Sequence, residues 1–94
     1  MKYFVYILAS RRNGTLYVGS TSNLVKRTWE HKQKLVDGFT TRYDINQLVY
    51  YETFDSAAAM VARERQLKQW NRLWKLKLIE AANPDWNDLY PTII

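Results

Sequence analysis

The first apolar run of the chain, Tyr3-Phe4-Val5-Tyr6-Ile7-Leu8, has no polar residue to mark a solvent side. Aromatic and β-branched residues without alternation suit a strand covered on both faces, hence a central one. Arg11-Arg12-Asn13-Gly14 interrupts it; both Asn and Gly tolerate positive φ, so a tight Asn13-Gly14 turn is expected, with residues 15–19 returning as the second arm of a hairpin. Thr21-Ser22-Asn23 offers side-chain oxygens to cap a helix over 24–35 that stops near Gly38. Residues 39–43 read as an ordered loop, and Leu48-Val49-Tyr50-Tyr51-Glu52-Thr53-Phe54 as a third strand. Asp55 or Ser56 can cap a helix over 57–69, rich in Ala, Arg, Glu and Gln, and a further helical pattern spans 73–82. Asn83-Pro84 should end it, because the residue before a proline is pushed out of the helical region. The order β-β-α-β-α-α predicts an α+β fold, a small three-stranded, mainly antiparallel sheet flanked by helices. One domain over 1–94 is expected, with 84–94 a C-terminal tail packing through Trp86, Leu89 and Tyr90.

Composition narrows what such a fold does. The 94 residues, 47% hydrophobic and 15% aromatic, suffice for one core and are too few for two. Cysteine is absent, which excludes a disulfide framework, a thiolate zinc site and a thiol nucleophile. No apolar run is long enough for a bilayer span, and residues 1–6 read as the start of a strand and lack the cleavage site of a secretory signal, so a cytoplasmic protein with no membrane partner is expected. The net charge of +5 is concentrated in 26–34 and 63–77, both helical by pattern, which suits a polyanionic partner. Solvated helix faces are often basic without binding anything.

Three positions call for chemistry. Glu64 falls at helical spacing on the stripe Met60, Val61, Leu67 and Trp74, which otherwise reads as core-facing. A carboxylate there requires a partner, either an arginine in a half-buried ion pair or a metal ion. Arg27 shares one side of the first helix with Leu24 and His31, and its planar fork suits a phosphate as well as a carboxylate such as Glu64. His31 is the lone histidine, so it cannot build a His-rich metal cluster; a packing role and proton transfer both remain open. Tyr6 and Tyr17 would share a face of the hairpin if its turn carries no bulge. Seven tyrosines are present, so spacing by itself does not single these two out.

Val5-Tyr6 followed by Leu16-Tyr17-Val18-Gly19 resembles the two tyrosine motifs of the GIY-YIG nuclease superfamily, with Phe4 in place of the first motif's glycine and Val18 in place of the second's isoleucine. Arg27 stands where that family carries its helix arginine, His31 one turn later, and Glu64 in Ala62-Arg63-Glu64-Arg65 matches its metal-binding glutamate. Gly38-Phe39-Thr40, the third-strand segment and Asn83-Pro84-Asp85-Trp86 extend the similarity to the small single-domain bacterial members of URI-domain type. Ser20 replaces a lysine that some relatives have, and Asn71 is the candidate for an asparagine others carry later.

The resemblance implies a metal-dependent endonuclease acting on nucleic acid, with DNA the expected substrate. It implies catalytic roles for Tyr6, Tyr17, Arg27, His31 and Glu64. Glu64 would hold one Mg²⁺ or Mn²⁺, Arg27 the scissile phosphate, and Tyr17 or Tyr6 would take a proton from water. Lys26 and Lys68 join Arg27 as candidate substrate-binding cations, and Gly19 is read as structural support. The alternatives are a nucleic-acid-binding module without cleavage, and a protein interaction domain in which Arg27 and Glu64 form a structural ion pair.

Overall fold

A computed structural model describes residues 2–36 and 38–94; Met1, at the start of the first strand-like segment, lies outside the described residues. Strand β1 (Tyr3–Ala9) is central, with β2 (Leu16–Thr21) and β3 (Gln47–Phe54) antiparallel to it on either side, in the order β2-β1-β3. The unbroken apolar run of β1 has the physical consequence expected of it. Val5, Ile7 and Ala9 enter one core with Val18, Val49, Leu67 and Ile79, while Tyr6 and Leu8 enter a second, on the opposite face, with Leu24, Ile45 and Leu48. Helices α3 (Ala57–Gln69) and α4 (Arg72–Ala82) cover the first face. Helix α1 (Leu24–Lys32) and the C-terminal segment cover the second.

The hairpin departs from the expected tight turn. Ser10 donates to Thr15 O (3.1 Å) and Gly14 to Arg11 O (2.9 Å), so four residues make the loop, and only Asn13 of the Asn-Gly pair takes positive φ (56°). The pairing Tyr6↔Gly19 and Leu8↔Tyr17 still places Tyr6, Tyr17 and Gly19 on one face, because lengthening the loop by two residues preserves facing. On the other side of β1 the register slips between Ile7 and Leu8, where Val49 is the extra residue of β3.

Helix α1 stops at Lys32, short of 35, because Lys34 adopts a left-handed conformation (φ 58°) that ends the helical hydrogen bonds. Residues expected as loop form a short helix, α2 (Phe39–Arg42), entered through Gly38 at φ 101° and tied by Ile45 N–H donating to Thr40 O (2.9 Å). One turn is too short to leave a periodic pattern. Asn23 caps α1 and Ser56 caps α3, each through its side-chain oxygen. Asn71, the candidate late asparagine, is the N-cap of α4, its Oδ1 accepting from Trp74 N–H at 2.9 Å.

Val61 and Trp74 do not face the core as the helical stripe implied. They are 42% and 52% exposed, whereas Leu67 is fully buried and Met60 packs against the core. Trp74 lies on α4, across the turn from α3, so one helical phase cannot reach it, and Val61, one residue after Met60 on α3, is rotated past the edge of the buried face. In the C-terminal segment Trp86 is buried, Leu89 N–H donates to Leu48 O (2.7 Å), and a last turn of helix, α5 (Tyr90–Ile93), follows. Asp88 accepts from Leu48 N–H (3.1 Å) and pairs with Lys32, joining this segment to β3 and α1. Among the described residues, no helix is long and apolar enough to cross a membrane.

Candidate active site

The sequence-predicted residues gather at the edge of the sheet, along β2. Tyr6 and Tyr17 stand on the α1 side with ring centroids 6.4 Å apart. Gly19 is directly opposite Tyr6, and a Cβ there would lie 2.6 Å from the Tyr6 ring and hydroxyl and 2.9 Å from the Tyr17 ring. The glycine of the second motif is therefore the floor on which both rings rest.

Helix α1 brings His31 and Arg27 to the same place. His31 is 3% exposed, its ring 6.0 Å from that of Tyr6 and 5.7 Å from that of Tyr17. Its Nε2 is 3.2 Å from the Tyr6 hydroxyl and its Nδ1 is 3.0 Å from Thr40 Oγ1 on α2. Burial, helped by the nearby Arg27 charge and only partly opposed by Glu30, pushes the His31 imidazole down to about 4, so it is neutral at pH 7. Tyr6 is 1% exposed, and burial pushes its phenol up to about 12 although the Arg27 guanidinium beside it pulls the other way. Tyr6 therefore keeps its proton. Tyr17 is half-buried, packed against the second core. Arg27 makes one loose ion pair, 3.5 Å to Glu30, and shares with Lys26, Asn23 and Ser20 the wall of a cleft of about 360 Å³.

Glu64 arrives from the other face of the sheet, on α3. Its Oε1 accepts from Ser20 Oγ at 2.5 Å and its Oε2 lies 2.7 Å from Lys68 Nζ. Burial works against its charge, but donation from Lys68 and Ser20 outweighs that and holds the carboxyl below the usual carboxylate range. Glu64 and Arg27 are not paired with each other among the ion pairs of the described residues: Glu64 has Lys68 and Arg27 has Glu30. The edge strand separates them, which removes the structural ion pair that a helical-stripe argument allowed.

The donor set around Glu64 fits a hard divalent cation of one kind. Among the described residues, no three His, Cys, Asp or Glu side chains come together as a cage. One ionised carboxylate with a side chain 21% exposed, whose Lys68 partner is 52% exposed, suits Mg²⁺ or Mn²⁺ completed by waters and substrate oxygens. Ser20 stands beside this carboxylate where a lysine would bring a second cation.

Thr40 and Glu30 are site neighbours that residue patterns did not single out, and Ser20, noted for standing at the lysine position of some relatives, makes a contact with Glu64 that they did not reveal. Glu30 was open to helix arithmetic, being three residues after Arg27. Thr40 lay within the Gly38-Phe39-Thr40 segment, but its contact with His31 had no signal, because it crosses between two helices. A larger cleft of about 650 Å³ opens at the hairpin loop, lined by Tyr43, Asp44 and Arg72, but there Arg72 is engaged by Asn13 O (2.8 Å) and Gly14 O (2.7 Å), and none of the sequence-predicted site residues lines it.

Residues 2–77 match the GIY-YIG catalytic domain. The chain is 39% identical over 85 residues to a UPF0213 protein of Syntrophus aciditrophicus, covering 89% of this chain and 95% of that one. It is 35% identical over 78 residues to a UPF0213 protein of Staphylococcus saprophyticus, covering 83% and 94%. The solution structure of a UPF0213 protein from Bacillus halodurans has the same fold, with a TM-score of 0.58 over 94% of this chain and 93% of that chain, at 24% identity.

Proposed function

The chain belongs to the GIY-YIG catalytic-domain family, and from that premise we propose that it is a metal-dependent endonuclease hydrolysing phosphodiester bonds in nucleic acid, DNA in the first place. The observation that carries this reading is the meeting, at one sheet edge, of a cation from one face and an ionised carboxylate from the other. Arg27 and Glu64 flank β2 without neutralising each other, each with a weak or displaceable partner. Two such groups can engage opposite sides of one phosphate.

Arg27 takes the scissile phosphate by its fork, exchanging its 3.5 Å contact with Glu30 for phosphate oxygens. Lys26, on the same cleft, and Lys68, once released from Glu64, hold flanking phosphates. Glu64 holds the Mg²⁺ or Mn²⁺, which when bound supplies Lewis-acid stabilisation of the leaving oxygen. Tyr17, half-buried at the site's mouth, is assigned the attacking water. Tyr6, deeply buried and protonated, shares a hydrogen bond with His31 Nε2 at 3.2 Å and lies within reach of the Arg27 charge. A cytoplasmic location accompanies this reading.

A second reading, a binding module without cleavage, is favoured by one observation: Lys68 already neutralises Glu64. A scission screen separates the two. With Mg²⁺ or Mn²⁺, single strands, duplexes, flaps and junctions of DNA and RNA are incubated with the protein and with Glu64→Gln. Scission is expected, reduced by about 10²–10³-fold in the variant. Salt-sensitive binding with no nicking of any substrate would select the binding module, and equal rates for both proteins would remove Glu64 from the mechanism.

A further inference from the structure

His31 is held at both ring nitrogens, and the identity of the two partners determines which nitrogen carries the proton. The Tyr6 hydroxyl is buried, and the Arg27 guanidinium on its charged side only donates, so it cannot take the Tyr6 proton. That proton needs an acceptor. Among the described residues, the hydrogen-bond partner of that buried hydroxyl is His31 Nε2, at 3.2 Å. Nε2 therefore carries the lone pair, and the ring proton is on Nδ1, 3.0 Å from Thr40 Oγ1.

Thr40 is well placed to enforce that choice. It is buried, and its carbonyl is tied to Ile45 N–H at 2.9 Å, Ile45 being fully buried in the second core. The hydroxyl is thus anchored through the backbone to the sheet face from which Tyr6 projects. Glycine at 38, with φ 101°, starts the turn that carries Thr40 toward α1.

We propose that Thr40 is a positioning residue, whose hydroxyl accepts from His31 Nδ1 and so holds the imidazole in the one tautomer that lets Nε2 accept the Tyr6 proton. The consequence for the site is directional. With its proton committed to His31, the Tyr6 oxygen presents its remaining lone pairs toward Arg27 and steadies the guanidinium for the phosphate. If the ring carried its proton on Nε2, two donors would face the Tyr6 oxygen and its own proton would have to point elsewhere. The effect on the reaction rests on the nuclease reading; the tautomer does not.

His31 is the only histidine of the chain, so its two ring nitrogens give one uncrowded set of signals in a long-range ¹H–¹⁵N spectrum of the ¹⁵N-labelled protein. At pH 7 the wild type is expected to show a protonated Nδ1 and an unprotonated Nε2. Thr40→Val, which keeps the shape and removes the hydroxyl, should shift the ring toward the Nε2–H form or a mixture, and Thr40→Ser should restore the wild-type pattern. A wild-type spectrum with the proton on Nε2, or a Thr40→Val spectrum unchanged from wild type, overturns the proposal. On a substrate that the wild type cuts, Thr40→Val should lower kcat by about 10–100-fold with KM little changed, and Thr40→Ser should recover it. A Thr40→Val protein with an altered tautomer and wild-type kcat overturns the catalytic consequence. Absence of scission by the wild type, with the expected tautomer shifts present, would retire the nuclease reading and leave Thr40 established as the residue that orients His31.

Discussion

Gly19 is the residue at which sequence motif and packing meet most directly. Two aromatic rings occupy the volume where its Cβ would stand, and neither is the loose end of a flexible chain. Gly19→Ala must push Tyr6 or Tyr17 aside, and Tyr6 is locked in the second core with Leu8 and Leu24. The expected cost is about 1–3 kcal/mol by urea unfolding, with loss of activity beyond the loss of folded protein. Retention of both would show that the rings have room the geometry denies them. His31 provides a pH test at the same scale. Its folded pKa, about 4, lies below the ordinary 6.5 of an unfolded chain. Between those values the unfolded state binds more protons, so the stability it contributes is complete above pH ~6.5 and lost as pH falls through 4. The shift corresponds to roughly 3 kcal/mol at most. Urea midpoints measured at pH 7, 5.5 and 4 should fall more steeply for wild type than for His31→Gln; parallel curves would place the titration elsewhere.

Among the elements, α3 has the most demanding task, since it must deliver Glu64 to an edge strand from the far side of the sheet. Arg63, the preceding residue, fastens it. Its Nε and Nη2 each lie 2.9 Å from Glu52 on β3, and its guanidinium stacks 5.0 Å from the Trp70 ring centroid. The two-pronged contact is part-buried, and although burial alone would raise it, donation from Arg63 and Tyr50 holds the Glu52 carboxyl below its usual range. Arg63→Ala leaves that carboxylate without its cation and should destabilise the fold by about 1.5–3 kcal/mol in denaturant titrations. A change below about 0.5 kcal/mol would reduce the pair to an ordinary surface contact. Helix α1 illustrates what element patterns do and do not contain. Its capping segment Thr21-Ser22-Asn23 and its Leu24, Arg27, His31 side were readable from the sequence, the latter because helix geometry fixes which side chains share a face. Its end at Lys32 was not, because a left-handed lysine carries no residue signature.

For the whole molecule, the net charge of +5 acts through its distribution. Lys26 and Arg27 stand on one side of the β2 edge, and Arg65 and Lys68 line a hollow beside Glu64 on the other. A polyanion laid along the edge would meet cations from both faces, so binding of a short oligonucleotide should weaken steeply with salt. About four phosphate contacts to a duplex imply a slope near −4 in log K against log[salt], and Lys26→Ala should reduce that slope by about one. Fluorescence anisotropy between 50 and 200 mM salt measures both; a flat dependence would remove the charge argument. The sequence by itself determined the central strand, the three-stranded α+β order, the segments that cap α1 and α3, and the family, because these rest on local periodicity, capping chemistry and motif spacing. Only the tertiary structure decided that Glu64 answers across the sheet to Ser20 instead of Arg27, that Tyr6 is the buried and Tyr17 the half-buried tyrosine, and that Thr40 reaches His31. Those contacts join elements far apart in the chain or across a turn with no period of its own. Their chemistry depends on which face of the sheet each helix covers, a choice made by the joint burial of both faces of β1 and by no single segment.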